Sequence, residues 1–331
     1  MPDATIYEVA EIAGVSISTV SRVLNAPEHV LPATRARVLA AIDQLHFVPR
    51  AEATARARKA ICRIGVLAPF FTYPSFVQRL RGVANTLADS AYEMVIYNVE
   101  SAVRRDGHLA TLPITRRIDG LIIMALPFES KAAQRLLAHE LEVVLIEFTH
   151  PLFSSVEIND ESGGLLVARY LAERGHRRCA FVGDSDVPVY SLHTSDERLA
   201  GYRQGLLEAG VELPEQYISR APHGMESARQ QAHALFDLPA PPTAIFSPSD
   251  TQAMGVLKAA RERGLRVPSD LAVIGFDDVD FADYIGLTTV RQPLEESGRV
   301  AVDLLLARLA DRSRPVQRVT LPLTLVQRET A

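Results

Sequence analysis

The sequence has few cysteines and no long apolar segment. Its two cysteines, Cys62 and Cys179, are far apart and form no metal-binding or redox spacing, so we expect reduced thiols and no metal site. No apolar run approaches the length of a transmembrane helix, and the first residues, MPDATIYEVAEIAG, lack the basic start and apolar run of a signal peptide. We therefore expect a cytoplasmic protein with no membrane partner.

The common sequence motifs of enzymes are also missing. The sequence contains no G-x-G-x-x-G, Walker A, H-E-x-x-H or G-x-S-x-G pattern. The acidic stretch DDVDFAD at 277–283 lacks the glycine and the distal glutamate of an EF-hand, which argues against a calcium site. We expect no catalysis, no cofactor and no bound metal.

The formal net charge of −5 is unevenly distributed along the chain. Residues 1–63 contain eight Lys/Arg and six Asp/Glu, and five of those basic residues lie within 50–63 beside one acidic residue. Because salt limits electrostatic reach to about 8 Å, a local basic segment is sufficient for contact with phosphates. The N-terminal part is therefore compatible with a nucleic-acid partner, and the acidic remainder opposes non-specific binding.

The stretch TIYEVAEIAGVSISTVSRVLN, residues 5–25, predicts two short helices joined by a tight turn. Thr5 and Glu8 have the spacing of a capping box, Gly14 stands where a helix ends in a left-handed residue, and Ser16 offers a second N-cap. A third helix is expected over 32–45. Both an ordinary helical hairpin and a helix-turn-helix, whose second helix enters a DNA major groove, fit this pattern.

From residue 63 onward, short apolar strands alternate with helices, which is typical of parallel sheets covered by helices. The predicted strands are RIGVLAPF, EMVIYNV, DGLIIMAL, VVLIEF, SVEIN, RCAFVGD, TAIFSPSD, LAVIGFDD and LTLVQRE. The predicted helices cover 75–90, 131–139, 161–174, 196–209, 226–236, 251–263 and 294–310. These elements are enough for two successive sheets in an α/β fold.

The segments IYEVAEIAGVSISTVSRVLN and TRARVLAAIDQLHFVP resemble the headpiece of the LacI/GalR family of bacterial transcriptional regulators, over nearly all of residues 5–49. The later part resembles that family's two-lobed, periplasmic-binding-protein-like core with parallel sheets. The resemblance implies a three-helix headpiece at 1–48, a hinge at 49–62 and an effector-binding and dimerisation core at 63–331. Lobe one is expected at 63–158 and 291–317, lobe two at 159–290 and 318–331, with crossovers near residues 159, 290 and 318.

The second helix of the headpiece carries the candidates for reading DNA bases. Arg22 is the best of them because arginine pairs bidentately with guanine, and the resemblance adds Ile17 and Ser18. The residues expected to contact phosphates or position the headpiece are Thr5, Tyr7, Ser16, Thr19, Ser21, Asn25, His29 and Thr34. For Ser16 a purely capping role is the alternative. One headpiece buries too little surface for tight specific binding, so we expect a homodimer on a palindromic operator.

Residues 49–60, PRAEATARARKA, would form only a marginal helix alone. In the family that the chain resembles, this segment folds on operator DNA and inserts a leucine into the minor groove. Ungapped counting puts Arg56 at that position, and Ala53 is predicted to lie at the same groove. Arginine enters a narrow minor groove electrostatically but is a poor apolar wedge, so we expect modest bending. A plain flexible linker is the alternative.

Polar and aromatic residues follow the predicted strands, at the edge where open α/β sheets bind ligands. Carboxylates, an arginine and aromatic faces together suit a sugar. The resemblance favours Arg198 in RLAGY and Asp277 in GFDD most. The full predicted effector-binding set is Phe70, Tyr73, Phe76, Glu147, Asp160, Arg198, His223, Asp250 and Asp277.

Structural alternatives remain for several of these side chains. Asp250 also fits the cap of the helix that follows it, and Arg198 also fits a surface ion pair with Asp196 or Glu197. The two phenylalanines also fit the core. His223 stands where relatives often have an aromatic residue, and residues 159–160 reverse the family's commoner Asp-Asn order.

The sequence thus predicts a sequence-specific transcriptional regulator, a repressor that binds operator DNA and responds to a small effector, expected to be a mono- or disaccharide. A sugar-binding transport receptor and a sugar-processing enzyme are the alternatives from other classes. A third alternative keeps the regulator and replaces the sugar with a purine or a phosphorylated metabolite. No basic cluster in the expected cleft favours a phosphate.

Overall fold

The structure, a computed structural model, describes residues 4–25, 27–45, 47, 62–185 and 188–331, without the side chains of Asn25 and Glu28. The predicted hinge at 49–62 lies outside these ranges except for Cys62, so the roles of Ala53 and Arg56 stay predictions. None of the helices in the described ranges is both long and apolar enough to cross a bilayer.

The headpiece has three helices, α1 (Ile6–Ala13), α2 (Ile17–Asn25) and α3 (Pro32–Leu45), with a short 3₁₀ turn at Pro27–His29. The predicted capping box is present: Thr5 accepts from the amide of Glu8, whose carboxylate accepts from the amide of Thr5 at 2.6 Å. Gly14 ends α1 with φ 62°. Buried aliphatic side chains from all three helices form one small core, so the predicted helix-turn-helix is confirmed.

Close contacts divide the chain into two units. The first comprises 1–71, 83–155 and 299–317, and the second comprises 72–82, 156–298 and 318–331. The crossover expected near residue 290 therefore falls at 298, and residues 72–82 belong with the second unit. The expected crossovers near 159 and 318 lie within four residues of the observed boundaries.

The headpiece belongs to the first unit and packs on it. Ile114 lies in the apolar core of the headpiece. Asp43 on α3 accepts from Arg135, and it lies 3.2 Å from Nε2 of His139. Ile114 and the ion pairs of Asp43 thus connect the headpiece to the rest of this unit.

One six-stranded sheet is built mainly from the first unit, and its strands lie in the order β11 (Arg318–Thr320), β5 (Ser154–Glu157), β4 (Glu142–Ile146), β3 (Gly120–Met124), β1 (Cys62–Ala68) and β2 (Tyr92–Asn98). The pairs β1–β2, β1–β3 and β3–β4 are parallel. The elements in chain order are β1 (Cys62–Ala68), α4 (Pro74–Leu87), β2 (Tyr92–Asn98), α5 (Ala102–Thr115), β3 (Gly120–Met124), α6 (Ser130–Ala138), β4 (Glu142–Ile146) and β5 (Ser154–Glu157).

A second six-stranded sheet forms the centre of the second unit, and its strands lie in the order β12 (Thr324–Val326), β10 (Thr288–Arg291), β9 (Ala272–Asp277), β8 (Ala244–Phe246), β6 (Cys179–Asp184) and β7 (Ile218–Ala221). Its strands are parallel except for the antiparallel pair β10–β12. The elements are α7 (Asp160–Glu173), β6 (Cys179–Asp184), α8 (Thr194–Glu208), β7 (Ile218–Ala221), α9 (Met225–Phe236), β8 (Ala244–Phe246), α10 (Asp250–Glu262), β9 (Ala272–Asp277), α11 (Asp280–Tyr284), β10 (Thr288–Arg291), α12 (Leu294–Ala310), β11 (Arg318–Thr320) and β12 (Thr324–Val326).

The predicted alternation of strands and helices is confirmed, but five elements were missed: α5, α11, β7, β10 and β11. The helix α5 has no clear apolar stripe, since its sequence AVRRDGHLATLPIT includes Gly107 and Pro113. Strands β7 and β11 are short, and each carries exposed polar residues. Their pairing with neighbours, and not their own hydrophobicity, makes them strands.

Candidate DNA-binding and effector-binding sites

The helix α2 presents the three predicted base-reading residues to solvent. Ile17, Ser18 and Arg22 are exposed, whereas Val20 and Val23 on the opposite side are fully buried in the headpiece core. This separation follows from the 3.6-residue period, which places residues 18 and 22 on one face. Arg22 therefore lies on an accessible face of the helix.

The predicted phosphate-contacting residues differ in their surroundings. Tyr7 and His29 are exposed, and Thr5, Thr19, Ser21 and Thr34 are half-buried. The hydroxyl of Ser16 accepts from the amide of Thr19 at 3.2 Å, which is the capping bond expected at the start of α2. The side chain of Asn25 lies outside the described structure.

The carboxyl edge of the first sheet carries two predicted effector residues. Phe70 follows β1 and Glu147 follows β4, with φ of 47° and 65°, and Ala125 after the intervening β3 has φ 50°. Left-handed backbone is rare for residues with a Cβ, and it concentrates at functional sites. Three neighbouring strands of this sheet therefore end in the same unusual conformation.

The second unit contains a buried ion pair between Arg198 on α8 and Asp160 on α7. Nε of Arg198 donates to Oδ1 of Asp160 at 2.6 Å, and Nη1 donates to the carbonyl oxygen of Pro248 at 2.5 Å. The guanidinium lies 3.7 Å from the centre of the Phe276 ring. Arg198 is therefore not a surface residue, and Asp196 binds Arg220 instead.

The neighbouring residues Asn159 and Asp160 make different contacts. The side chain of Asn159 accepts from the amide of Ser162 at 2.8 Å and caps α7. Asp160 is the first residue of α7 and points its carboxylate at Arg198. The reversed order of these residues thus puts the carboxylate on the helix and the amide at its cap.

Asp277 ends β9 with φ 112° and is almost fully buried. Its Oδ1 lies 3.7 Å from Nη1 of Arg198 and accepts from Nε2 of Gln292 at 2.5 Å. Oε1 of Gln292 in turn accepts from Arg79 at 2.9 Å. Sequence reasoning missed Gln292 and Arg79, since neither lies at the end of a predicted strand.

Asp250 is completely buried at the start of α10. Its Oδ2 accepts from the amide of Val279 at 2.8 Å, and Oδ1 lies 2.5 Å from the hydroxyl of Thr289. Burial, followed by the negative charge of Asp277, raises the pKa of Asp250 well above its usual value. The cap of α10 is Ser249, so the alternative in which Asp250 caps this helix is wrong.

Tyr73, His223 and Asp184 form a further cluster in the second unit. The rings of Tyr73 and His223 are stacked with centroids 4.9 Å apart and an interplanar angle of 17°. Nδ1 of His223 lies 3.1 Å from Oδ1 of Asp184. Burial and then the charge of Asp184 raise the pKa of Tyr73. By contrast, Phe76 is buried beneath Arg79, which fits the core alternative.

The motif RLAGY that contains Arg198 also contains a close helix–helix contact. A Cβ at Gly201 of α8 would lie 1.8 Å from the carbonyl oxygen of Glu161 on α7, and one at Gly164 of α7 would lie 2.1 Å from the carbonyl oxygen of Arg198. The two backbones approach closely because both residues are glycines. This approach brings Arg198 to Asp160.

A helix-turn-helix with an exposed recognition face, together with two α/β sheets that carry polar clusters, defines a DNA-binding regulator with a ligand-binding core. Two family models match the chain: "bacterial regulatory proteins, lacI family" over residues 5–50, and "periplasmic binding protein-like domain" over residues 168–331. The chain belongs to the LacI family of bacterial regulators. It is a DNA-binding transcriptional repressor controlled by a small-molecule effector.

Relatives of known function align along most of the chain. The HTH-type transcriptional repressor PurR of Photobacterium profundum is 31% identical over 316 residues, which cover 94% of this chain and 93% of the relative. The HTH-type transcriptional repressor CytR of Escherichia coli is 34% identical over 309 residues, which cover 92% and 89%.

Solved structures show the same similarity. The lac repressor dimer bound to operator and an anti-inducer superposes with a TM-score of 0.71 at 29% identity, over 99% of each chain. The complex of the transcriptional regulator CelR with cellobiose has a TM-score of 0.71 at 28% identity, over 99% of this chain and 100% of that one.

Proposed function

We propose that this repressor binds a pseudo-palindromic operator as a homodimer, with one α2 helix in the major groove of each half-site. The exposed face that carries Ile17, Ser18 and Arg22 supports this proposal. A twofold protein axis requires a twofold arrangement of half-sites, spaced by about 10 bp or a multiple of it. Because its partner is chromosomal DNA, we place the protein in the cytoplasm, and we assign it no enzymatic activity.

We propose that a small uncharged effector binds at the carboxyl edge of the second sheet. The single observation that carries this assignment is the buried pair Arg198–Asp160 with Asp277 beside it. Buried charges that hold each other in place form a rigid polar surface, which is what selective recognition of hydroxyl groups requires. Phe70 and Glu147, which follow strands of the first sheet, stay effector-binding candidates predicted from the sequence.

A sugar is the first candidate for the effector. Carboxylates and a guanidinium bind its hydroxyls, and the ring of Tyr73 covers its apolar face. The CelR complex with cellobiose is similar to this chain along its whole length. A nucleobase or nucleoside is the second candidate, since the flat, stacked pair Tyr73–His223 suits a planar ring as well.

In our proposal Asp250 is a buried residue that stabilises the effector site without contacting the effector. Its two oxygens are engaged by Val279 and Thr289, and its side chain has no exposed surface. It therefore positions the segment that follows β9, and with it Asp277, and does not itself contact the effector. His223 and Tyr73 are proposed to contact the effector through their rings.

Two measurements test the proposal. Selection of bound sequences from random DNA should enrich pseudo-palindromes, and unrelated enriched sequences would contradict operator recognition. Thermal unfolding should then be measured with mono- and disaccharides, purines and nucleosides. A ligand at 100 times its Kd should add about 2.7 kcal/mol to the free energy of unfolding. If no uncharged member of either class shifts the transition, the effector assignment is wrong.

A further inference from the structure

We propose that Asp184 binds the effector and determines which compounds are accepted. Its Oδ1 holds His223 and Gln252, and its Oδ2 accepts a hydrogen bond from a hydroxyl or N–H group of the effector. The site then selects uncharged ring compounds that carry such a donor and rejects their phosphorylated counterparts. This inference rests on the proposed function, because it concerns the same ligand site.

The position of Asp184 is that of a ligand-binding residue. It is the last residue of β6. In the same sheet β8 lies beside β6 and is followed by the helix that begins at Asp250, and β9 lies beside β8 and ends at Asp277. The carboxyl ends of parallel strands meet at one edge of a sheet, where ligands bind in open α/β folds. The Asp184 side chain is 18% exposed, so the carboxylate is held by protein and still reaches solvent.

Two donors share one oxygen of this carboxylate. Oδ1 accepts from Nε2 of Gln252 at 2.9 Å and lies 3.1 Å from Nδ1 of His223. Within the ranges that the structure describes, no protein donor reaches Oδ2. Since each carboxylate oxygen accepts up to two hydrogen bonds, Oδ2 has acceptor capacity for a ligand.

The neighbours of Asp184 are fixed in orientation. Oε1 of Gln252 lies 2.9 Å from Oγ of Ser249, the residue that caps α10, so the Gln252 amide presents its NH₂ group to Asp184. A carboxylate oxygen only accepts, so Nδ1 of His223 donates to Oδ1 of Asp184. The cluster therefore offers a ligand the acceptor Oδ2 of Asp184, beside the stacked rings of Tyr73 and His223.

The same arrangement disfavours an anionic ligand. A phosphate placed against Asp184 meets a like charge, and the positive charge of Arg198 is balanced by Asp160 at 2.6 Å and Asp277 at 3.7 Å. Arg220, which belongs to the neighbouring β7, is paired with Asp196. Discrimination by repulsion is a common source of specificity.

Isothermal titration calorimetry on the full-length protein tests this inference. The ligands are D-ribose, cellobiose and adenosine, with ribose 5-phosphate, cellobiose 6′-phosphate and adenosine 5′-monophosphate as their respective charged counterparts. The variants are Asp184→Asn and Asp184→Ala, and Asp196→Asn is the matched control because it removes an exposed carboxylate of the same unit. Operator binding by the three variants shows that each one is folded.

We expect the wild type to bind at least one uncharged compound and to bind its phosphorylated counterpart at least tenfold more weakly. Asp184→Asn and Asp184→Ala should each reduce the affinity for the uncharged compound about tenfold or more, since a hydrogen bond to a charged group is lost. Asp196→Asn should stay within about twofold. Asp184→Asn should also reduce the discrimination against the phosphorylated compound.

Three results would overturn the inference: an Asp184→Asn affinity equal to that of the control, tighter binding of the phosphorylated compounds by the wild type, or no binding of any uncharged compound at millimolar concentration. The third result would also overturn the proposed effector site, whereas the first two leave that site standing. Operator recognition fails separately, when the wild type selects no palindromic DNA, whatever the ligand affinities are.

Discussion

Arg198 and Asp160 form an ion pair 2.6 Å long in which each side chain is only 7% exposed. The two residues are 38 positions apart and meet because α7 and α8 touch at Gly164 and Gly201. A buried charge of this kind is tolerated only when its partner and further hydrogen bonds are in place. The pair is therefore both a structural element of the second unit and the centre of its proposed effector site.

Arg198→Ala should abolish the ligand-induced shift in thermal unfolding and should preserve operator binding. It should also lower the free energy of unfolding by about 3–5 kcal/mol, because it leaves Asp160 buried and unpaired. Arg220→Ala, which breaks the exposed pair with Asp196, is the control and should change stability by less than about 1 kcal/mol. A normal ligand response in Arg198→Ala would remove Arg198 from the site.

The stability of Asp250→Asn, measured relative to the wild type, should increase as the pH rises. The pKa of the buried Asp250 is raised, so the folded state favours the protonated carboxyl, and its contribution to stability falls as the pH rises above about 3.9, where the unfolded residue ionises. Asparagine resembles the protonated acid: its oxygen accepts from Val279 and its NH₂ group donates to Thr289.

Urea unfolding at pH 5 and pH 8 measures this effect. The difference in the free energy of unfolding, variant minus wild type, should be more positive at pH 8 than at pH 5. Asp250→Ala is the comparison, since it loses both hydrogen bonds and should be destabilised at both values. A variant that is penalised more at pH 8 than at pH 5 would contradict the raised pKa.

Gly201→Ala should destabilise the second unit and weaken effector binding together. The added methyl group would lie 1.8 Å from the carbonyl oxygen of Glu161, so α7 and α8 must separate. Overpacking of this kind costs about 1–3 kcal/mol. Leu207→Ala, on an exposed position of the same helix, is the control. Unchanged stability in Gly201→Ala would show that the helices can part without strain.

Arg22→Ala should remove the preference for operator over random DNA and leave weak, salt-sensitive binding. Loss of a bidentate contact to guanine costs about 1–3 kcal/mol of discrimination. Fluorescence anisotropy with selected and scrambled DNA measures the ratio. Arg37→Ala, which changes an exposed arginine of α3 and not of α2, should largely preserve that ratio. An operator preference that survives in Arg22→Ala shows that other residues read the bases.

Arg56→Ala should reduce the slope of log affinity against log salt by about one unit, if this residue enters the minor groove. Arg56→Leu removes the same charge and restores an apolar wedge, so it should bend the operator more than the wild type does. Salt titrations and a circular-permutation bending assay measure the two effects. Equal slopes for wild type and Arg56→Ala would favour a plain linker.

The sequence alone determined the local elements whose signals are short-range. The capping box of Thr5 and Glu8, the left-handed Gly14 and the bounds of α3 all follow from residues within a few positions of one another. The alternation of apolar strands with helices was enough for the fold class, because burial on both faces leaves continuous apolar runs. The missed strands β7 and β11 carry no such run.

The tertiary structure decided which side chains meet, because contacts between distant residues depend on how helices and strands pack. Sequence reasoning placed Arg198, Asp160 and Asp277 at the ends of elements, but their pairing depends on two glycines that bring α7 and α8 together. It overlooked Asp184, although that residue ends a predicted strand as Asp277 does. The carboxylate of Asp184 becomes part of a site because His223, from the loop after β7, and Gln252, from α10, both contact it. The positions of these three residues along the chain do not reveal that they are close in space.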